Sequence, residues 1–453
     1  MERPGLEQYS DSLIRLYSKE QRSENDDNSV GARSVTLQVT DSCNLRCSYC
    51  YQINKHENYL SFENAKKFID LILAGDNEYC PTSSSIGMTL EFIGGEPFLA
   101  IDLIDQITKY FIQTMWELDH PWLYRFRISI CSNGTLYFEP KVQEYIRRYQ
   151  KFLSFSVSID GNKELHDSCR VFPDGSGSYD KAIAAVKHYR STYYEEVGTK
   201  MTLAPANVMH TYEAVKSLID NGYHDINLNC VFEEGWTKKD ANILYYELKK
   251  IADLMIEDKL YGKDGIYLSR FVKDNYKPMN EEDNTNPCGG LGSMISVNYT
   301  GKIFPCIRYM DSSLGGSVPE VVIGDVITGI MKDDKYSALV DEMKACDRRN
   351  QSTDECFYCP IAAGCTWCSG YAYQYYGKFG KRTTFICDTH KAEALADVYY
   401  WNRYFLDAGV HEYRENHCPK EWALEIIPEE EWNMIEALVE EAKSKSNKKD
   451  DVD

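Results

Sequence analysis

Cys43-Asn-Leu-Arg-Cys47-Ser-Tyr-Cys50 constrains this chain more than any other stretch. Its three cysteines, spaced C-x3-C-x2-C, come shortly after an apolar, strand-like run, Val35-Thr-Leu-Gln-Val39. Three thiolates can hold three irons of a [4Fe–4S] cube and leave the fourth iron open. Cluster-binding sequences usually supply a fourth cysteine at close spacing, and here none follows until Cys80. An iron without a protein thiolate is available to a small molecule. A zinc knuckle and a disulfide pair are the competing readings. A closed zinc site takes four ligands, and no His or Cys sits close by as the fourth.

The 453 residues are enough for two or three structural units. No run of about 18 apolar residues is present, so no transmembrane helix is expected. The N-terminus, Met1-Glu-Arg-Pro-Gly-Leu-Glu, lacks an apolar signal region. A cytoplasmic protein is expected. Sixteen cysteines in such a chain argue for metal or redox chemistry rather than structural disulfides. Three cluster near residue 47 and eight lie between 288 and 387. Cys80, Cys131, Cys169, Cys230 and Cys418 are scattered, and most of them read as buried small hydrophobes. A net charge of −20 disfavours a nucleic-acid surface. It suits a basic peptide partner, though solubility alone explains it equally well.

Residues 1–34 form a polar extension in which Leu6–Tyr17 can make a short helix. From Val35 strand-like runs alternate with amphipathic segments. The strands are Val35–Val39, Met88–Ile93, Arg125–Cys131, Leu153–Ile159, Thr199–Ala204 and Asp225–Cys230. The helices between them are Ser61–Leu73, Ile101–Trp116, Pro140–Tyr149, Tyr179–Tyr189 and His210–Asn221, with Ala241–Asp258 after the last strand. Six strand–helix units in series imply a parallel α/β sheet with right-handed crossovers. An open or closed barrel is expected over a flat sheet, because the suspected ligands sit at strand C-terminal ends. This region is assigned to 35–275. Residues 276–390 carry cysteines, glycines and short strand candidates such as Met294–Val297 and Lys302–Phe304. Bound metal can replace much of the missing core there. Residues 391–453 read as helices, Lys391–Leu406 and Pro428–Ser444, followed by a disordered tail from Ser444.

The strand ends carry further motifs. Strand two ends in Glu91-Phe-Ile-Gly94-Gly95-Glu96-Pro97, and paired glycines let a ligand approach the backbone. Strand three ends in Cys131-Ser-Asn133-Gly134-Thr, and strand four in Ser156-Val-Ser158-Ile-Asp160-Gly161, followed by His166-Asp-Ser-Cys-Arg170. In this order and spacing the set resembles the radical S-adenosylmethionine (SAM) enzymes, whose open iron chelates the amino and carboxylate groups of SAM. The resemblance implies a partial (β/α)6, TIM-like barrel. It places Gly94, Gly95 and Glu96 at the SAM amino group, with Asn133 in the matching turn. Ser158 and Arg170 would contact ribose and carboxylate, Tyr49 would lie against adenine, and Leu203 would be its apolar neighbour. For Tyr49 and Leu203 ordinary packing is the alternative.

A second array reads Cys288-x12-Gly301-x4-Cys306, then Cys356-x2-Cys359-x5-Cys365-x2-Cys368, then Cys387. It resembles the SPASM extension of radical SAM peptide and protein modifiers, which binds two auxiliary [4Fe–4S] clusters. A zinc ribbon is the other reading. Carried over by position, Cys356, Cys359, Cys365 and Cys387 hold an outer cluster. Cys288, Cys306 and Cys368 hold an inner one, whose fourth ligand could be Cys346, a water or a substrate thiolate. The gap before Cys368 is x2 where the family usually has x3.

The resemblance implies an enzyme that takes hydrogen from an unactivated carbon of a ribosomally made, Cys-containing peptide. Installation of a thioether, Cys sulfur to carbon, is the leading expectation, with carbon–carbon cross-linking as its rival. Anaerobic sulfatase maturases carry an Asp just after the cysteine of the Gly-x4-Cys element, whereas this chain has Ile307. An iron–sulfur electron carrier is the non-enzymatic alternative. The implied partners are the precursor peptide and an electron donor such as flavodoxin or ferredoxin. The 34 residues before strand one cannot hold a winged-helix leader-binding domain. Leader recognition is therefore expected from a separate protein, the barrel or the C-terminal helices.

Overall fold

The structure, a computed structural model, describes residues 32–447 apart from 54, 75–78, 80–86, 194–196, 263–264, 285 and 287. The expected Leu6–Tyr17 helix and Cys80 lie outside the described residues. Eleven strands are described: β1 (Arg33–Thr40), β2 (Met88–Gly94), β3 (Phe126–Ser132), β4 (Leu153–Ser158), β5 (Gly198–Leu203), β6 (Asp225–Cys230), β7 (Tyr267–Leu268), β8 (Met294–Val297), β9 (Lys302–Phe304), β10 (Gly324–Asp325) and β11 (Gly329–Ile330). The longer helices are α1 (Phe62–Leu73), α2 (Ile101–Glu117), α3 (Pro140–Tyr149), α4 (Lys163–Cys169), α5 (Tyr179–Tyr193), α6 (Thr211–Asp220), α7 (Lys238–Glu257), α8 (Asp334–Lys344), α9 (Ser369–Tyr376), α10 (Cys387–Ala408) and α11 (Glu429–Asn447).

Two compact units divide these elements. The first comprises the described residues of Met1–Ser158, Arg170–Val197 and Pro287–Ala345. Its strands run in the order β11-β10-β9-β8-β1-β2-β3-β4. Strands β8, β1, β2, β3 and β4 are parallel, while β9, β10 and β11 join antiparallel, so the sheet is mixed and does not close on itself. Strand β1 is buried on both faces, with Val35, Leu37 and Val39 on one and Thr36, Gln38 and Thr40 on the other. That is the pattern of a central parallel strand. Helix α1 starts at the Ser61 cap, whose hydroxyl accepts from Asn64 N at 3.1 Å. It buries Ala65, Phe68, Ile69, Ile72 and Leu73 on one stripe. Helix α3 has Pro140 in its first turn, where the missing N–H costs nothing.

The second unit comprises Ile159–Cys169, Gly198–Asn286 and Cys346–Asp453, within the described residues. Strands β5, β6 and β7 pair in parallel, with α6 and α7 as crossovers. Helix α7 opens on a capping box between Thr237 and Asp240. Helix α10 packs along α7 and α11, and its middle is buried almost all round, from Ala392 to Tyr400. It begins at Cys387, four residues ahead of the expected Lys391. Helix α11 continues to Asn447, so the first four residues of the expected tail are helical; 448–453 lie outside the described residues. Among the described residues no helix is long and apolar enough to cross a membrane.

Candidate metal centre

The loop after β1 is built from its own polar groups. Thr40 Oγ1 accepts from Ser42 N at 3.0 Å and donates to Asn58 O at 2.8 Å, which turns the chain out of the sheet. Cys50 N donates to Cys47 O at 3.3 Å, and Arg46 Nη1 donates to Cys43 O at 2.7 Å. Leu45 is buried, and Arg46 N reaches Val171 O at 2.7 Å. Cys43, Cys47 and Cys50 therefore sit half-buried on an anchored loop. Burial pushes the Cys43 thiol up to about 11, against a contact from Leu45 N. Such a thiol stays protonated until a metal displaces its proton.

The glycines of the second motif have a packing reason. A Cβ at Gly95 would collide with Ser42 O and stand 2.6 Å from Cys43 Cβ. At Gly94 it would meet Thr40 O at 2.6 Å. The missing side chains let the end of β2 press against the cysteine loop. Glu96 is buried and ties β2 to β3. Its carboxylate accepts from Ser132 Oγ at 2.8 Å, Asn133 N at 2.8 Å and Phe98 N at 3.1 Å. Burial pushes it up to about 7 despite these three donors.

Asn133 Nδ2 donates to Asn44 Oδ1 at 2.8 Å, and Asn44 Nδ2 donates to Thr135 Oγ1 at 2.8 Å. Asn44 thus joins the cysteine loop to the β3 turn, a role that its place between two cysteines did not reveal. The guanidinium of Arg170, almost fully buried, lies 5.3 Å from the centre of the Tyr49 ring. Ser158 Oγ is 3.6 Å from Cys131 Sγ at the ends of β4 and β3. The first unit therefore gathers the three cysteines, Gly94, Gly95, Glu96 and Asn133 around one loop, and pairs Tyr49 with Arg170. Leu203 ends β5 in the second unit and is fully buried.

The later cysteines divide between the units. In the first, Cys288 opens the turn Gly289–Leu291, whose Gly290 O accepts from Tyr79 OH. Cys306 precedes the turn Ile307–Tyr309. In the second, Cys346 is buried, and Cys368 caps α9 by accepting from Tyr371 N at 3.4 Å. Cys356, Cys359, Cys365 and Cys387 are half-buried thiols that influence one another electrostatically. Burial pushes Cys387 up to about 12. Burial alone would raise Cys365 too, but His390 and Arg382 hold it below the usual thiol range. His390 is oriented by Glu393, at 3.0 Å from Nδ1.

Among the described residues no three His, Cys, Asp or Glu side chains converge closely enough for a single metal ion. A cube spreads its thiolates wider than one ion does. Trp367 Nε1, Ser369 Oγ and Arg348 Nη1 are buried in the cysteine-rich segment without a hydrogen-bond partner among the described residues. Orphaned donors beside thiols fit an acceptor that the chain itself does not supply, such as cluster sulfur.

An α/β sheet with its polar motifs at the carboxyl ends of its strands is a ligand-binding architecture of enzymes. Residues 37–219 match the model of the Radical SAM superfamily, and the chain is an enzyme with a radical SAM domain. It is 21% identical over 390 residues to the radical SAM cyclopropyl synthase TigE of Paramaledivibacter caminithermalis, covering 79% of this chain and 72% of that protein. It is 22% identical over 376 residues to the antilisterial bacteriocin subtilosin biosynthesis protein AlbA of Bacillus subtilis, covering 80% and 72%. A cysteine-type anaerobic sulfatase-maturating enzyme of Clostridium novyi is 29% identical over 293 residues, covering 60% and 72%. The fold matches native anSMEcpe with bound AdoMet and Kp18Cys peptide, with a TM-score of 0.59 at 15% identity over 83% of this chain and 99% of that one.

Proposed function

We propose that this enzyme installs a thioether, Cys sulfur to carbon, in a ribosomally made peptide. The observation that carries the reading is the anchored loop with three half-buried thiols, in a chain that resembles a bacteriocin biosynthesis protein over most of its length. Cys43, Cys47 and Cys50 would hold a [4Fe–4S] cluster with one open iron, which supplies reductive cleavage of SAM to a hydrogen-abstracting 5′-deoxyadenosyl radical. Arg170 suits a bidentate contact to the SAM carboxylate, and its stacking holds Tyr49 as a flat wall for adenine. Gly94 and Gly95 keep backbone, rather than side chain, beside the loop. Glu96 fixes the β3 turn that presents Asn133, while Ser158 and Leu203 end the next two strands. Cys356, Cys359, Cys365 and Cys387 would hold an outer auxiliary cluster. Cys288, Cys306 and Cys368 would hold an inner one, whose fourth ligand is Cys346, a water or a substrate thiolate.

A thioether removes two hydrogens from the peptide, one as an atom from carbon and one as the thiol proton, and one electron must leave. The auxiliary clusters would supply an acceptor. A cavity of about 600 Å³ beside the end of β1, lined by Gln38, Asp41, His56, Asn298 and Ser312, has room for a peptide side chain. The partners of this reading are the precursor peptide and an electron donor such as flavodoxin or ferredoxin, with leader recognition by a separate protein, the barrel or the C-terminal helices. Formylglycine formation is the second reading, favoured by the likeness to the Clostridium novyi enzyme. Against it, position 307 offers an aliphatic side chain and no base.

The test is anaerobic turnover with SAM, dithionite and a short synthetic Cys-containing peptide. Release of 5′-deoxyadenosine, a product two hydrogens lighter and a cysteine that resists alkylation support the thioether. A product of the same mass whose cysteine still alkylates indicates a carbon–carbon link, and an aldehyde indicates formylglycine.

A further inference from the structure

Two arginines accompany the four thiols of Cys356, Cys359, Cys365 and Cys387. Arg348 and Arg382 are both buried, with 2% and 8% of their surface exposed. A guanidinium keeps its charge at every accessible pH, and a buried charge is costly unless something opposite offsets it. Arg348 Nη2 donates to Phe357 O, and its plane lies 4.5 Å from the Phe357 ring centre. Its Nη1 has no hydrogen-bond partner among the described residues. Arg382 Nη2 donates to Cys356 O at 3.4 Å, and its plane lies 4.7 Å from the Trp367 ring centre. No carboxylate forms a salt bridge with either arginine among the described residues. The thiols of Cys356, Cys365 and Cys387 act electrostatically on Arg382; Arg348 is repelled by Arg382 and attracted by Cys359, Asp283 and Cys365.

We propose that Arg348 and Arg382 set the reduction potential of the outer cluster, two fixed cations that favour its reduced form and make it the electron acceptor. This rests on the reading that the four cysteines hold a cluster. Reduction adds one negative charge to a group that four thiolates already make anionic. Cations held in a low dielectric oppose that build-up, and N–H groups aimed at sulfur act the same way. Arg348 Nη1 and Trp367 Nε1 are the donors available for that second effect. The step is a one-electron transfer. The electron comes from the substrate as its second hydrogen leaves as a proton, and the cluster gains that electron without bond changes. Arg348 and Arg382 are positioning residues, touching neither substrate nor SAM in this proposal.

The experiment uses the full chain, reconstituted anaerobically, with Cys43, Cys47 and Cys50 changed to Ala so that the first set gives no signal. A dithionite potentiometric titration is followed by EPR, and iron is counted in parallel. The outer signal is the one that Cys356→Ala removes. Arg382→Gln and Arg348→Gln are each expected to lower its reduced-to-oxidised ratio about tenfold at fixed potential, equal to about 59 mV for one electron. Arg382→Lys and Arg348→Lys should restore most of it. Full iron with an unmoved ratio in both Gln variants overturns the proposal. Where a Gln variant loses iron, a Lys variant that keeps iron and the parental ratio supports the role of charge. Loss from the Lys variants as well overturns it in favour of packing. An iron count unchanged by Cys356→Ala sinks the underlying reading instead, whatever the arginines do.

Discussion

At the scale of single residues, the loop after β1 makes two sharp commitments. Cys47 lies between the other two thiols and is half-buried like them. Cys47→Ala leaves at most two thiolates, so SAM cleavage should fall to background while the later cysteines keep their iron. Undiminished 5′-deoxyadenosine release by that variant would falsify the ligand assignment. Glu96 makes the second commitment. Burial sets its folded pKa at about 7, above the ordinary carboxyl value of 4.5. The folded protein therefore binds the proton more tightly than the unfolded chain does. The stability contribution is full below about 4.5 and is lost as pH rises through about 7. The loss is at most about 1.4 kcal/mol per pH unit in that window. Glu96→Gln cannot titrate, so the wild type should lose stability relative to it between pH 5 and pH 8. Urea midpoints of the two proteins at both pH values check this. A gap that stays constant with pH would show that the three donors, not burial, control the group.

Elements were legible where their signals are local. Strand β6 and helix α3 have the boundaries that alternation and Pro140 predict, and β1 through β5 differ from expectation by a residue or two at their ends. Burial of alternate apolar side chains and first-turn caps are written within the segment itself. Pairing is not. That β8 lies beside β1, in the register Ser34↔Met294 to Leu37↔Val297, joins segments some 260 residues apart, and no local pattern announces it. Strand β7 has two residues, too short for any periodicity. The cysteine spacings were readable because ligand geometry fixes them. Asn44, Arg348 and Arg382 obey no spacing rule; they act where the folded chain brings them. Gly95 belongs to this scale because it sets the distance between β2 and the cysteine loop. Gly95→Ala would drive a Cβ into Ser42 O and Cys43 Cβ. Backbone atoms cannot rotate away, so roughly 1–3 kcal/mol of stability should be lost, the usual cost of overpacking. Iron binding by the loop should weaken with it. A Gly95→Ala protein with normal midpoint and normal first-set iron would show that the loop is looser than described.

For the whole molecule the quantity that joins the cysteine sets is the iron count. Three [4Fe–4S] cubes would give about twelve irons per chain. Changing Cys43, Cys47 and Cys50 together to Ala, or Cys356, Cys359, Cys365 and Cys387 together, should remove about four in each case. Cys346 is the discriminating position. Every other candidate ligand is half-buried, whereas Cys346 is buried like Cys169, Cys230 and Cys418, which no cluster motif includes. A cluster ligand needs its thiol at the edge of a polar, ion-sized space, and a buried thiol resists losing its proton. Cys346→Ala is therefore expected to leave iron content and EPR spectra unchanged. The inner set would then keep three thiolates, leaving one iron for water or for the sulfur of the substrate peptide. Adding the Cys-containing peptide should perturb the inner signal in both the parent and Cys346→Ala, and a peptide with Ser in place of Cys should not. Loss of about four irons from Cys346→Ala would instead make Cys346 the fourth ligand. The substrate thiol would then have no iron to bind there, and the sulfur would have to be held by the chain alone.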